Sequence, residues 1–154
     1  MKKTLIYTST VFALATTAFI SLSHVNAKET NIDNNLQYPA NSWRLVKHTF
    51  RLNIPQNNNT LSQLIIETPS TVAVSNNIDV FDANGQKINT NISVNGKQII
   101  IDFPEKVISN TKLLVNFNQV QQPVTGPASV YHFSAKVVGS EIEIPVGVAQ
   151  FPTF

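Results

Sequence analysis

Hydrophobic and polar residues alternate over much of the chain, which is the pattern of β-strands with one buried face. The clearest case is the segment 86–103, where alternating apolar residues flank Asn95-Gly96 on both sides. A type I′ turn needs positive φ at both central residues, so this dipeptide predicts a two-residue hairpin with Ile92 opposite Ile99. The hairpin would cover a core with one face and meet solvent with the other.

Further strands are predicted from the same alternation and from short apolar runs between turn residues. They span residues 46–54, 61–67, 71–75, 77–82, 111–118 and 130–138. Asp82-Ala83-Asn84-Gly85 has the composition of a type I turn. Gly139-Ser140 predicts a second hairpin, with Ala135 opposite Ile144 and Lys136 paired with Glu143. Residues 119–129, with two prolines and a glycine, are expected to form the longest irregular loop.

The strand at 46–54 has a regular alternation. Val46, His48 and Phe50 are expected to point inward, and the charged side chains between them outward. Pro55 ends the strand, and its charged outer face predicts that it lies at a sheet edge. Trp43 precedes it and is expected to cover the core or begin the strand, rather than to stack on a ligand.

These segments define the predicted fold class. About seven to nine short strands, with turn signals roughly every 8–12 residues and no amphipathic helix, predict an antiparallel immunoglobulin-like β-sandwich. A closed β-barrel is the alternative.

The N-terminal residues have the features of a secretory signal peptide. Lys2 and Lys3 precede an apolar run over residues 5–22, and Val25-Asn26-Ala27 offers a small-residue cleavage site. We therefore predict a cleaved signal peptide at 1–27, an extended N-terminal leader at 28–42 and the sandwich domain at 43–154. The mature protein is expected to be exported, periplasmic or extracellular, with no membrane span; an uncleaved anchor is the alternative.

Charge and cysteine content narrow the function classes. The chain has 11 basic and 9 acidic residues, and removal of Lys2 and Lys3 with the signal peptide balances them. No basic cluster remains to follow a phosphate backbone, so a nucleic-acid partner is not expected. The chain has no cysteine, so neither disulfides nor attachment of lipid to a cysteine is expected, even in an oxidising compartment.

The sequence lacks the motifs of common catalytic sites. There is no cysteine nucleophile, G-x-S-x-G elbow, glycine-rich phosphate loop or H-E-x-x-H helix. His48 is expected on an inward strand face and His132 on an outward one, while Glu141 and Glu143 are expected on a solvent-facing surface. We therefore predict no catalytic residues, no cofactor and no enzymatic activity.

Two sets of residues offer metal-binding atoms. Asp79, Asp82 and Asn84 place three oxygen ligands within six residues, a set that can bind Ca²⁺. The same residues also suit an outward strand position and a turn. His48 and His132 could contribute to a copper or zinc site but have no supporting local spacing. We predict no metal site and leave both sets as open alternatives.

Several segments together resemble a family of small secreted cyanobacterial proteins known as domain of unknown function 2808. They are HTFRLNIP at 48–55, LSQLIIE at 61–67, DANGQKI at 82–88, the Asn-Gly hairpin and EIPVGVAQF at 143–151. The resemblance covers nearly the whole mature chain and implies a cell-envelope or extracellular location in a photosynthetic bacterium. It implies no catalytic residues.

A weaker similarity covers residues 78–138. The hairpin, TKLLVNF at 111–117 and VYHFSA at 130–135 are similar to bacterial immunoglobulin-like domains, which include periplasmic copper-binding proteins. Those proteins use an N-terminal histidine with further histidines or methionines. This chain departs from that pattern, because its predicted mature N-terminus is Lys28 and its one methionine is Met1.

Three functions follow as hypotheses. The first is an exported, non-enzymatic binding or accessory module that recognises an envelope protein or glycan. The second is a subunit of an extracellular assembly whose N-terminal leader adds as a strand to a neighbouring sheet. The third is a periplasmic protein that binds copper or calcium.

Overall fold

The computed structural model describes residues 25–31, 43–53, 60–107 and 112–152. Within these ranges the chain forms ten β-strands and no helix. The strands are β1 (Val25–Asn31), β2 (Trp43–Asn53), β3 (Leu61–Glu67), β4 (Ala73–Val74), β5 (Ile78–Phe81), β6 (Asn91–Asn95), β7 (Gln98–Val107), β8 (Lys112–Pro123), β9 (Ser129–Val137) and β10 (Ile144–Phe151). In these same ranges no helix is long and apolar enough to cross a membrane.

The strands form two antiparallel sheets. Sheet A has the order β1-β2-β8, with β4 and β5 both paired to β8, and sheet B has the order β10-β9-β3-β7-β6. The chain is therefore an antiparallel immunoglobulin-like β-sandwich, as the alternation predicts. The described part contains more strands than expected, because β1 is built from residues that the sequence assigns to the end of the signal peptide and the leader.

The core lies between the two sheets and is formed by the inward side chains of both. Sheet A contributes Val46, Phe50, Leu52, Ile78, Val80, Leu113, Val115, Phe117 and Val120. Sheet B contributes Leu61, Leu64, Ile66, Ile99, Ile101, Phe103, Tyr131, Phe133, Ala135, Val146, Ala149 and Phe151. Phe50 is at the centre of an aromatic group, with edge-to-face contacts to Phe117, Tyr131, Phe133 and Phe151. Such contacts add to the stabilisation from buried area.

The central hairpin forms, but its turn differs from the predicted one. Asn95 lies opposite Gln98, so the two turn residues are Gly96 and Lys97 rather than Asn95 and Gly96. Gly96 has φ of +61°, and a primed turn needs this left-handed conformation at its first position. Placing glycine there avoids the steric cost that a side chain would meet.

The register of the hairpin shifts by two residues as a result. Ile92 lies opposite Ile101, and the predicted pairing of Ile92 with Ile99 is wrong. A two-residue shift leaves every side chain on its original face, since faces alternate with a period of two. The predicted buried face is therefore correct: Ile99, Ile101 and Phe103 are buried and Ile92 packs against them.

The second hairpin is partly as predicted. Ala135 lies opposite Ile144, which confirms that pairing. The residues between β9 and β10 do not continue the ladder, and Ile142 is exposed. Lys136 lies 3.8 Å from Glu141, so its predicted pairing with Glu143 is wrong.

Strand β2 is an interior strand, which corrects its predicted edge position. It pairs with β8 on one side and with β1 on the other. Its predicted inward face is confirmed, because Val46, His48 and Phe50 are fully buried. The edge assignment failed because the strand that covers β2 comes from residues 25–31, where the sequence pattern indicates processing rather than folding.

Strand β8 extends into the segment 119–129, which the sequence predicts to be irregular. Residues 119–123 continue the strand and pair with the start of β2. A bulge shifts the register between Val46 and His48 of β2, which lie opposite Val120 and Phe117. The extra residue in β8 reverses its alternation, so that Phe117, Val120 and Gln122 are all buried.

The predicted boundary between the signal peptide and the leader falls inside a strand. Strand β1 crosses the predicted cleavage point after Ala27 and includes residues 28–31 of the predicted leader. Residues 1–24 and 32–42, which complete the predicted signal peptide and leader, lie outside the described residues. Cleavage after Ala27 stays a prediction.

Candidate functional site

The outer face of sheet B carries a row of side chains that crosses three strands. Glu67 at the end of β3 lies opposite His132 of β9, and His132 lies opposite Val148 of β10. Directly opposed residues in antiparallel strands have Cα atoms about 4.5–5.5 Å apart. All three are exposed, so the ladder places a carboxylate, an imidazole and an aliphatic side chain together at the surface.

A bulge in β10 shapes the surface beside this row. The register shifts between Pro145 and Gly147, which lie opposite Ser134 and Phe133, so Val146 is an extra residue. A bulge bends its strand and increases the local twist. Here it separates the outward residues Pro145 and Val148 on the outer face of the sheet.

A groove of about 340 Å³ lies at this bulge. This volume is near the lower end of the range for small-molecule pockets, about 300–1,000 Å³. The groove would therefore suit a single sugar residue or one side chain of a larger ligand. The side chains that line it include Glu67, His132, Ser134, Glu143, Pro145 and Val148.

The polar lining of the groove is acidic. It contains two carboxylates and one imidazole, with no lysine or arginine among its lining residues. Glu143 is positioned by the Ser134 hydroxyl, which donates a hydrogen bond to Glu143 Oε2 at 3.3 Å. Carboxylates accept hydrogen bonds, while Pro145 and Val148 offer apolar contact. The groove can therefore bind a ligand that donates hydrogen bonds and has an apolar side.

His132 is on the outward face predicted for it and lines this groove, whereas His48 is buried on sheet A. The two histidines therefore belong to separate environments. Ser134 hydrogen-bonds Glu143, and the described part of the structure shows no hydrogen bond from Ser134 to His132.

His48 is held inside the sandwich by two hydrogen bonds. Its Nε2 lies 3.0 Å from Gln122 Oε1 and its Nδ1 lies 2.9 Å from the Tyr131 hydroxyl. Because a carbonyl oxygen only accepts, Nε2 donates to Gln122 Oε1, and in the neutral imidazole the Tyr131 hydroxyl then donates to Nδ1. Phe151 stacks on the imidazole at a ring-centroid distance of 3.8 Å. His48 is therefore a hydrogen-bonded core residue.

Glu29 of β1 extends this buried network to the edge of sheet A. Its carboxylate lies 2.7 Å from Arg44 Nη2 and 3.7 Å from His48 Nε2. Burial alone would raise the pKa of Glu29, but the neighbouring His48 imidazole and Gln122 amide and the positive charge of Arg44 together lower it. The pKa of Tyr131 is raised by burial and by the negative charge of Glu29. Tyr131 is therefore a neutral hydrogen-bond donor.

The two carboxylates among the three candidate calcium ligands are engaged in separate contacts. Asp79 pairs with Lys87 at 2.6 Å, and this contact, with a hydrogen bond from Asn118, lowers the pKa of the Asp79 carboxyl. Asp82 Oδ1 accepts hydrogen bonds from the backbone amides of Asn84 and Gln86. The Gly85 amide donates to the Asp82 carbonyl at 3.1 Å, which confirms the predicted turn. Within the described ranges no group of three histidine or carboxylate side chains is arranged to bind a metal.

Trp43 is the first residue of β2, one of the two positions expected for it. Its side chain is 55% exposed, so it does not cover the core.

Sequence reasoning missed the acidic groove and the Glu29 network. Glu67 ends one strand and Glu143 precedes another, and only the sheet order brings them together. Gln122 turns inward because of the bulge in β8, in a segment that composition indicates is a loop. No local spacing signals either arrangement. The one available sign of the groove is His132, which the alternation correctly places outward.

The fold and this surface define a β-sandwich domain with no recognised catalytic set among its described residues. The chain belongs to the family described as protein of unknown function (DUF2808), whose model matches residues 23–149. The match includes β1 and begins before the predicted cleavage point. No curated protein is significantly similar to the chain in sequence.

Solved structures share the fold at low sequence identity. BslA, a bacterial hydrophobin, is 15% identical over 84% of this chain and 93% of its own, with a TM-score of 0.51. The major pilin SpaD of Corynebacterium diphtheriae is 10% identical over 82% of this chain and 34% of its own, also with a TM-score of 0.51. The pilus backbone protein RrgB of Streptococcus pneumoniae is 6% identical over 75% of this chain and 53% of its own, with a TM-score of 0.49. This chain thus spans about a third of SpaD and about half of RrgB, and its likeness to BslA and SpaD is one of fold.

Proposed function

We propose that this protein is an exported, non-enzymatic binding module of a cyanobacterial cell envelope. The observation that carries the proposal is the acidic groove on the outer face of sheet B, where Glu67, His132 and Glu143 meet beside Pro145 and Val148. The predicted signal peptide, and the secreted family that the sequence resembles, support export.

Envelope glycan is the ligand class that this groove fits best. Sugar hydroxyls donate hydrogen bonds to carboxylates, and the carbon-bound hydrogens of a sugar ring pack on aliphatic side chains such as Val148, which is 52% exposed. The groove, at about 340 Å³, is large enough for one sugar residue, and its acidic lining disfavours anionic ligands.

Co-sedimentation with washed envelope fragments tests this proposal. The native exported protein should sediment with the fragments, and the double variant Glu67→Gln/Glu143→Gln should do so about tenfold less. The matched control is Glu105→Gln/Glu141→Gln, which removes the same charge from exposed positions outside the groove. Equal retention of both variants would contradict a role for the groove.

The nature of the ligand is tested on the same fragments after digestion. Retention that survives protease but is lost after glycan hydrolysis supports the proposed class. Loss on protease treatment alone would identify a protein ligand and overturn the glycan assignment. Intact mass of the protein from the medium and periplasm tests export, because a chain beginning at Lys28 is expected and a retained Met1 would contradict it.

A second candidate function is a subunit of an extracellular assembly. It is favoured by the strand pairing of residues 28–31, the start of the predicted leader, on the edge of β2. Such pairing shows that this segment is suited to completing a sheet. Size-exclusion chromatography with light scattering tests it, because a discrete or polymeric species is expected and a monomer at all concentrations would contradict it.

A further inference from the structure

Strand β1 is attached to the sandwich mainly through backbone pairing with β2, and it also lies against β10 of sheet B. It pairs with β2 from Val25 opposite Leu52 to Asn31 opposite Val46. Asn26, Ala27, Lys28 and Thr30 are exposed, and Val25 packs against the core but is only half-buried. Since apolar burial supplies most of the free energy that holds a strand in place, β1 is weakly held for its length.

Glu29 is the one charged side chain of β1 that reaches into the sandwich. It contacts Arg44 at 2.7 Å and approaches His48 at 3.7 Å. Both of these residues belong to β2, and His48 is in turn hydrogen-bonded to Gln122 of β8 and Tyr131 of β9. We call these four residues the receiving site for β1. None of the residues of the receiving site belongs to β1, so another copy's β1 could meet the same site.

The connection between β1 and β2 is longer than an antiparallel pair requires. Eleven residues, 32–42, separate Asn31 from Trp43, whereas hairpin loops usually have two to five. A fully extended segment of this length spans roughly 35–40 Å, enough to reach an adjacent molecule. Nothing in the length of this connection confines β1 to the β2 edge of its own chain.

We propose that copies of this chain assemble by exchanging residues 28–31 of β1, the part that a chain beginning at Lys28 retains. This segment of one copy pairs with β2 of a second copy, and Glu29 enters that copy's buried polar network. The donated strand would make the same contacts that it makes within one chain, which is the condition for strand exchange between identical subunits. This inference rests on the second candidate function, assembly, and names both its partner and its contact.

Engineered cysteines distinguish exchange from pairing within one chain. Thr30 lies opposite Lys47 in the β1–β2 ladder, neither side chain is buried, and the chain has no cysteine of its own. The single variants Thr30→Cys and Lys47→Cys are co-expressed with the native N-terminal sequence, exported and oxidised. A disulfide-linked peptide that contains both positions must then be intermolecular.

The expected result is a heterodimer joined between positions 30 and 47, identified by peptide mass. The double variant Thr30→Cys/Lys47→Cys is the matched control, and exchange should convert it into covalent dimers or longer species on a non-reducing gel. If the double variant gives only cross-linked monomer and the mixed single variants give no such peptide, β1 pairs within its own chain and the exchange is overturned.

Glu29 gives a second, independent readout. Glu29→Gln should lower the yield of the intermolecular disulfide several-fold, because it removes the charge that meets Arg44, whereas Lys28→Gln on the exposed side of β1 should leave the yield unchanged. Equal yields for both variants would overturn the role of Glu29. Assemblies seen by light scattering without the 30–47 link would refute strand exchange alone, while a monomer in every experiment would refute the assembly function as well.

Discussion

At the residue scale, the main feature is a polar network buried among aromatic rings. His48, Gln122 and Tyr131 are fully buried. Each hydrogen bond described above gives a partner to a polar group that would otherwise be buried without one. The geometry assigns these residues to the support of the fold and the attachment of β1. It also explains why a histidine occupies an inward strand position that would otherwise hold an apolar residue.

Removal of the Tyr131 hydroxyl tests this network. Tyr131→Phe should lower the free energy of unfolding by about 1–3 kcal/mol, because His48 Nδ1 is left as a buried acceptor with no donor. Urea unfolding followed by fluorescence measures the change. Ser93→Ala, which removes an exposed hydroxyl in β6, serves as the control and should change stability by less than about 0.5 kcal/mol. An equally small effect of Tyr131→Phe would contradict the network.

Glu29 should make the stability of the fold dependent on acid pH. Its pKa is lower in the folded chain than its ordinary value of 4.5, so the ionised carboxylate stabilises the fold above about pH 4.5. This contribution is lost as the pH falls from there through the folded-state pKa. Glu29→Gln should therefore destabilise the protein at neutral pH and show a smaller loss of stability on acidification.

Unfolding curves from pH 7 to pH 3 for the native protein and Glu29→Gln measure this effect. The difference between the two proteins isolates Glu29 from other carboxylates, including Asp79, whose pKa is also lowered. Glu105→Gln, an exposed substitution, is the control and should parallel the native curve. Parallel curves for Glu29→Gln would contradict the linkage.

At the scale of elements, the alternation of apolar residues predicted strand positions and faces well. Strand β3 has its predicted bounds, and the inward faces of β2 and β7 are correct. The register of strand pairing was harder to predict. A two-residue shift of the central hairpin leaves the same side chains buried, so alternation alone cannot detect it. Bulges in β8 and β10 reverse the alternation within a strand, so residues on both sides of each bulge could not be assigned by one continuous pattern.

The turn of the central hairpin gives a test at this scale. Gly96→Ala should destabilise the protein by about 1–2 kcal/mol, because φ of +61° at this position is costly for a residue with a side chain. Gly96→Asn should recover part of the loss, since asparagine tolerates this conformation better. Urea unfolding of both variants measures the effect. Equal stability of Gly96→Ala and the native protein would contradict the turn assignment.

At the scale of the whole molecule, the sequence predicted the fold class but not the candidate site. A sandwich follows from strands and turns that are local in sequence, whereas the groove depends on the lateral order of β3, β9 and β10. Glu67 and Glu143 are 76 positions apart in the chain, and only the sheet topology places them around His132. Strand β1 was missed for a different reason, because residues that resemble a cleavage site also pair in a sheet.

The molecule therefore presents two surfaces with different chemistry. The outer face of sheet B offers the acidic groove, and sheet A offers the side of β2 that β1 covers, with the receiving site for β1. The groove is formed by outward side chains of sheet B, whereas Glu29 contacts Arg44 and His48 of sheet A, so ligand binding and assembly use different side chains. An exported module that both assembles and binds glycan would combine them.

Backbone hydrogen exchange of the native protein, with and without washed envelope fragments, tests the central claim most directly. Binding at the groove should slow exchange at the end of β3 near Glu67, in β9 around His132 and across the bulge of β10, and should leave β1 and β2 unchanged. Protection confined to β1 and β2, or no protection anywhere, would contradict the proposal that this protein binds the envelope through the groove on sheet B.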